Sequence, residues 1–272
     1  MNKKALILLL LTMLMAGLLT GCGEYQKLLK SNDPELKYQK AVEYFNLKQY
    51  TKAQTLFDDI STYYKGTERS QDVLNYLARC YMGQKDYASA CDYYQIYLRN
   101  YPKGRYIVET RYMIGHCFYL DSPDPRLDQT QTHQAIEYLT QFTELYPESD
   151  YAALAYKEID EMYNKLAQKE YLSAKLYYNL GTYLGNNYEA CATVARNALK
   201  LYPGNIWQEE LNWLILQSKY QQVLRSVEEL RMERAQDTAD ESYAFLAEYP
   251  ESKHKKAAER IKTEMQRLTG EK

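Results

Sequence analysis

The sequence predicts an all-α fold, a solenoid of about five helical hairpins closed by a terminal helix. Three observations carry this. First, residues 74–102, LNYLARCYMGQKDYASACDYYQIYLRNYP, hold two helical stripes. Leu74, Leu77, Ala78 and Tyr81 recur at intervals of three and four, and so do Ala90, Tyr94 and Tyr97, so each set shares one face of a helix. Second, Tyr-Pro pairs recur at Tyr101, Tyr146, Tyr202 and Tyr249, each followed within two positions by Gly or Ser. A helix stops before proline, so each pair marks the end of a hairpin's second helix. Third, the 11 glycines and 7 prolines fall mostly between periodic segments, which leaves short connections and long helices.

The pattern in 74–102, completed by Pro102 within a unit of roughly 34 residues, is that of a tetratricopeptide repeat. The expected architecture is therefore a tetratricopeptide-repeat solenoid of about five helical hairpins plus a terminal helix. Small Ala78 and Ala90 let two helices approach closely, and Gly83 to Asp86 are expected to supply the turn between them. One hairpin cannot bury its apolar face alone, so neighbours must stack on it. The 30 tyrosines against 5 phenylalanines fit that role, because tyrosine offers an apolar ring with a polar tip for half-buried sites between stacked helices.

In chain order, residues 1–21 read as a lipoprotein signal peptide. Lys3 and Lys4 form a positive start, and Ala5 to Leu19 an apolar stretch shorter than the roughly 20 residues of a spanning helix. It ends in Leu19-Thr20-Gly21-Cys22, which resembles the bacterial lipobox, so Cys22 is expected to carry diacylglycerol and an N-acyl chain and to become the mature N-terminus. An ordinary cleaved signal that happens to abut a cysteine is the other reading. Cleavage there removes Lys3 and Lys4 and takes the net charge from -2 to -4. By resemblance to other lipoproteins, Gly23 after the lipid site implies the outer membrane, facing the periplasm. A lipid anchors a protein to a membrane and does not make it span.

Residues 22–33 read as a lipidated polar tether and 34–150 as an N-terminal three-repeat module. Repeat one opens at Pro34 and carries Tyr38, Ala41 and Tyr44, then Ala53, Phe57 and Ile60, closing at Gly66. Repeat two is the stretch described above. Repeat three carries Arg111, Ile114, Gly115 and Phe118, then Ala135, Leu139, Phe142 and Pro147, with a surplus, Asp121 to Thr132, read as a loop on one rim. Residues 151–272 read as a C-terminal helical-repeat module. Asp150 to Tyr183 is one long helix or two abutting ones, partnered by Tyr188 to Leu201. Ile206 to about Leu224 is the next helix. Ser226 and Glu229 form a capping box before a helix that ends near Tyr249, and Ser252 to Leu268 is a charged terminal cap.

A search for chemistry finds none of the usual sets. His116, His133 and His254 stand far apart, with no H-E-x-x-H, no G-x-S-x-G, no phosphate loop and no Cys-x-x-Cys, so neither catalytic residues nor a metal site nor a further cofactor is expected. A near-neutral chain with no basic stripe is not expected to bind nucleic acid. Cys80, Cys91, Cys117 and Cys191 sit inside helices and read as small buried residues, with a Cys80–Cys91 bridge as the alternative.

In such a solenoid the first helices line the concave face. The repeat family's groove positions fall on Tyr38 and Phe45 with Glu35 and Val42, on Asn75 and Arg79 with Asp72 and Met82, and on Tyr112, His116 and Tyr119 with Glu109. This mixed aromatic surface suits an extended peptide, held by stacking and by hydrogen bonds to its backbone; a solvated face with no ligand is the bland alternative.

The lipobox, the short tether, the three repeats, the spacer in repeat three, the long following helix and the repeated Y-P-x-S together resemble the BamD-type (YfiO-type) family of outer-membrane assembly lipoproteins. DSPDPRLDQTQTHQAIEYLTQFTELYPESDY resembles that family's third repeat, and KLAQKEYLSAKLYY, from Lys165, its long helix. The resemblance runs from Cys22 to about Pro250; the extra Tyr-Pro hairpin, the terminal helix and the high tyrosine content depart from it. It implies a non-enzymatic subunit of the machinery that folds β-barrels into the outer membrane. The implied partners are the periplasmic domains of a BamA-like core subunit, other assembly lipoproteins, and the C-terminal signal of substrate β-barrel proteins. A tetratricopeptide lipoprotein that scaffolds cell-wall (peptidoglycan) enzymes is the other reading.

Overall fold

The computed structural model describes residues 23–270, so the signal peptide and Cys22 lie outside the described residues. The described chain is all-α. It runs as α1 (23–29), α2 (Pro34–Asn46), α3 (Tyr50–Ser61), α4 (Arg69–Gln84), α5 (Tyr87–Asn100), α6 (Ile107–Asp121), α7 (Thr130–Leu145), α8 (Ala152–Leu180), α9 (Asn187–Leu201), α10 (Gln208–Leu224), α11 (Glu228–Glu248) and α12 (Lys255–Thr269). From α2 onward this is the expected helical repeat, with helices in successive pairs followed by a terminal helix.

Sequence signals place the helix ends. Asp33 caps α2 by accepting from the backbone N–H groups of Glu35 and Leu36 at 3.0 and 3.1 Å, with Pro34 at the first helical position. Asp86 caps α5 and Asn186 caps α9 in the same way. Tyr101, Tyr202 and Tyr249 terminate α5, α9 and α11 with nearly one geometry (φ -132, -127 and -121°, ψ 64, 67 and 63°). The following proline disfavours the helical region for the residue before it, so three distant hairpins stop alike.

Four local expectations are corrected. The tether is not a loose polar segment from residue 23 onward. Tyr25, Leu28 and Leu29 share one face of α1, Leu28 is buried, and the Tyr25 hydroxyl donates to the Lys52 carbonyl at 3.3 Å, so α1 packs on repeat one. Gly83 is helical rather than part of the turn. The Tyr50 ring lies where its Cβ would be, 2.4 Å from Cε2, and Lys85 takes the left-handed position (φ 63°) instead. Ser226 caps nothing: its hydroxyl donates back to the Gln222 carbonyl at 3.0 Å and accepts from Arg234 at 2.7 Å, while Val227 occupies the cap position of α11. The loop of repeat three spans 122–129 rather than 121–132, because Gln129 and Thr132 bond at 2.7 Å and begin α7 early.

Contacts divide the chain into two compact units. The first holds the described residues up to Asp121 with Glu144–Tyr151, and the second Ser122–Thr143 with the described residues from Ala152 onward. This differs from the expected division into 34–150 and 151–272. The physical reason is the spacer. Lys165 of α8 donates to the Ser122 carbonyl and hydroxyl at 3.2 and 2.7 Å, and Lys169 to the Leu127 carbonyl at 2.8 Å, so the spacer and most of α7 go with α8.

In the first unit the core gathers Ala53, Leu56, Phe57, Ile60, Val73, Leu77 and Cys80, ringed by half-buried tyrosines. In the second, one cluster joins Ala174, Ala195, Ala198 and Leu211 along α8, α9 and α10. Another sets Ala258, Ile261 and Met265 of α12 against Trp213, Leu216 and Phe245. Helix α12 thus covers the last pair with an apolar stripe and turns its charges outward, as a terminal cap must. Cys80, Cys91, Cys117 and Cys191 are free and buried, so the Cys80–Cys91 alternative is not formed. Burial pushes the Cys80 and Cys91 thiols up to about 12 and about 11, which leaves them as protonated packing groups.

Candidate functional site

All seven expected groove residues fall in the first unit, on α2 (Tyr38, Phe45), α4 (Asn75, Arg79) and α6 (Tyr112, His116, Tyr119). They are not equally available. Asn75 is 3% exposed and Tyr112 2%, so neither offers a surface to a peptide. Helical period assigns a side chain to a face, but how far the next repeat covers that face depends on packing. Asn75 is covered so fully that its Nδ2 finds no hydrogen-bond acceptor. Tyr38, Phe45, His116 and Tyr119 are half-buried and Arg79 is exposed.

The structure brings these residues together in two groups. Phe45 meets Tyr50 and Tyr76 edge-on at 5.6 and 5.1 Å, and the Arg79 guanidinium lies 5.2 Å from its centroid. Tyr112, His116 and Tyr119, spaced four and three apart on α6, stack as a ladder at 5.4 and 5.8 Å, and Tyr151 extends it at 4.8 Å from Tyr112. The Tyr112 hydroxyl lies 3.3 Å from His116 Nδ1. Tyr38 stands apart. The Arg69 guanidinium covers it at 4.6 Å, and burial followed by nearby Asp72 pushes its phenol up to about 12.

Two of the three acids at groove positions, Glu35 and Asp72, are spent within the fold. Glu35 pairs with Arg69 and accepts from the Tyr64 hydroxyl at 3.1 Å. Asp72 pairs with Arg105 and accepts from the Tyr106 hydroxyl at 2.6 Å. Each ties a first helix to the start of the next repeat. Arg79 has no ion pair among the described residues, so it presents a held but unneutralised cation. Sequence reasoning missed Tyr151 and Arg69. Tyr151 ends the PESDY run after Tyr146-Pro147, a position that looks like loop. Arg69 and Arg105 recur at matching places before or at the start of a first helix, a signal available in the sequence.

No nucleophile and base stand together in this array, and among the described residues no group of His, Cys, Asp or Glu is placed to hold a metal ion. What the array offers is an exposed cation on an aromatic bed and, on α6, a separate stack of rings. Residues 30–186 match the family described as YfiO, outer membrane lipoprotein. The chain belongs to this family. It is also 28% identical over 261 residues to the "Putative outer membrane protein assembly factor BamD" of Aquifex aeolicus (strain VF5), a match covering 93% of this chain and 82% of that relative. The family match takes in all seven groove residues and ends just before α9, while the relative's match runs on through most of the second unit. No helix of the described residues is long and apolar enough to cross a membrane.

Proposed function

We propose that this protein is a lipid-anchored, non-enzymatic subunit of outer-membrane β-barrel assembly, held to the membrane by acyl chains on Cys22 and facing the periplasm. It engages the periplasmic domains of a BamA-like core subunit and companion lipoproteins, and its first unit receives the C-terminal strand of substrate barrels. Membership in an outer membrane lipoprotein family and the likeness to an assembly factor support the setting. Arg79 carries the site: an exposed guanidinium, fixed on Phe45 and without an ion pair among the described residues, in the same unit as half-buried His116 and Tyr119. A chain-terminal carboxylate meets such a fork in a charge-assisted bond stronger than a neutral one, and a terminal aromatic ring packs on the exposed edges of the rings. Asn75 and Tyr112, being buried, shape the floor and do not touch the peptide.

Fluorescence anisotropy with a peptide ending in an aromatic residue tests this. Arg79→Glu is expected to weaken binding at least about tenfold, the scale of one charge-assisted hydrogen bond. Lys255→Glu on α12 and deletion of the peptide's terminal residue serve as controls. Equal affinities for wild type and Arg79→Glu remove the site. Anchoring is tested separately: Cys22→Ala should leave the chain uncleaved or soluble, and continued co-fractionation with outer membranes at high salt rejects the lipid anchor.

A further inference from the structure

The second unit contains a concavity that this assignment does not use. It lies between the α8–α9 turn, the end of α10 and the first turns of α11, has a volume of ≈ 280 Å³, and is lined by Thr182, Asn186, Tyr188, Gln222, Arg225 and Arg234 among others. Its two arginines differ from four others in the fold. Arg69, Arg105, Arg126 and Arg231 each meet a carboxylate, from Glu35, Asp72, Asp124 and Glu228 respectively. Arg225 instead lies over the Tyr188 ring at 5.3 Å and donates to the Gln221 side chain, and Arg234 donates to the Ser226 hydroxyl at 2.7 Å. Neutral groups therefore fix both guanidinium groups in place and leave both charges uncompensated. Glu228, the first acid of α11, is engaged by Arg231 at 3.1 Å. A planar fork held by neutral partners is preorganised for an oxyanion, because little side-chain entropy remains to be lost on binding.

The rim identifies the occupant. Next in sequence to the lining residues, Leu184, held at a positive φ of 55°, is 90% exposed, Tyr183 is 67% exposed and Val227 59%. A free inorganic anion gains nothing from such neighbours. An acidic side chain projecting from a protein surface, with apolar residues beside it, matches both the cationic hollow and its apolar border. We propose that Arg225 and Arg234 form a docking site for a glutamate or aspartate carboxylate, flanked by apolar residues, on a protein partner.

The mature chain labelled at arginine provides the test, read by the Nε–H resonances of Arg225 and Arg234. The probes are a short capped peptide with one Glu between two Leu residues, its Gln counterpart, inorganic phosphate, and phosphatidylglycerol vesicles. The Glu peptide is expected to shift both resonances and to bind about tenfold or more tightly than the Gln peptide. That preference should vanish in Arg225→Gln/Arg234→Gln and survive in part in Arg225→Lys/Arg234→Lys, with melting curves unchanged. Equal affinities for the two peptides overturn the proposal, as does a preference retained in the Gln double variant. Phosphate binding as tight as the Glu peptide replaces it with a free-anion site, and arginine-dependent vesicle binding without peptide discrimination replaces it with a membrane contact. None of these results bears on Arg79, which belongs to the first unit.

Discussion

The first unit and the α8–α9 region of the second solve one packing problem with different side chains. Between α2, α3 and α4 the contact is made by rings. Phe57 stacks on Tyr76 at 4.9 Å, Phe45 meets Tyr50 and Tyr76, and Tyr38 meets Phe57 and Tyr64. Between α8 and α9 it is made largely by small side chains, Ala167, Ala174, Ala192, Ala195 and Ala198 being at most 1% exposed, with one ring pair, Tyr178 and Tyr188, at 5.7 Å. Rings hold helices apart and bring polar tips with them. The hydroxyls of Tyr93 and Tyr106 reach Asp58 and Asp72 and so link one repeat to the next, while those of Tyr64 and Tyr97 reach Glu35 and Gln71 within their own repeats. Alanine brings backbones close and links nothing. The aromatic region should therefore fail when a ring is removed, and the alanine region when bulk is added.

The largest expected effects test that contrast directly. Phe57→Ala leaves a cavity at a fully buried stacked ring and should cost about 3–5 kcal/mol. Ala195→Leu overpacks α9 and should cost about 1–3 kcal/mol. Both tryptophans, Trp207 and Trp213, lie in the second unit, so indole fluorescence reports that unit while circular dichroism reports the whole chain. In guanidinium unfolding, Phe57→Ala should lower the midpoint seen by dichroism and leave the indole midpoint in place, whereas Ala195→Leu should lower the indole midpoint by more than the dichroism one. Equal movement of both signals in either variant would show that the two units unfold as one block, and the contrast would then not be regional.

The same contrast explains what was legible in the sequence. Helices, their order and the Tyr-Pro ends were readable because periodicity and proline sterics are local. Proline acts on the residue before it wherever it stands, so Tyr101, Tyr202 and Tyr249 end alike. Burial at the site was not readable. Asn75 and Arg79 are one helical turn apart on α4, yet one is covered and the other open, because the difference comes from neighbouring repeats. The spacer's length was visible as a surplus of residues. Its attachment to Lys165 and Lys169 was not, since those bonds go to backbone carbonyls that any sequence would provide. Gly83 looked like a turn residue because a glycine near a hairpin usually is one; its partner, Tyr50, lies on another helix.

Each unit also sets a glycine against a tyrosine, and smaller effects are expected at Gly83 and Gly181. A Cβ on Gly83 would sit within 2.6 Å of three Tyr50 ring carbons, whereas on Gly181 it would meet the Tyr188 hydroxyl at 2.9 Å, with φ at 56°. Gly83→Ala gains helix propensity of about 1 kcal/mol but must displace a ring, for a net loss of about 1 kcal/mol. Gly181→Ala should cost about 1–2 kcal/mol through its left-handed backbone. Thermal melts followed by both signals measure these. A stabilised Gly83→Ala would mean that the Tyr50 ring swings aside freely and that the rings of the first unit do not set helix spacing there.

The smallest expected effect concerns the second unit's terminal cap, where charge rather than ring or alanine makes the link. Glu210 of α10 pairs with Lys253 at 2.5 Å and lies 3.3 Å from His254 Nε2, while the His254 ring stacks on Trp213 at 4.6 Å. Burial pushes the Glu210 carboxyl up, but hydrogen bonds from Lys253 and His254 outweigh it and hold the group below its ordinary value. An acid whose folded pKa is depressed contributes stability that is complete above its unfolded value, about 4.3 for glutamate. That contribution drains away as pH falls through the lower folded value. Glu210→Gln should therefore melt a few degrees below wild type near neutrality, with the gap closing as pH falls below about 4. Trp213 fluorescence, read against pH in both proteins, follows the contact itself. A gap that stays constant down to acid pH would show that Glu210 holds α12 by packing and neutral hydrogen bonds, which would align the cap with the alanine region and leave charge no part in it.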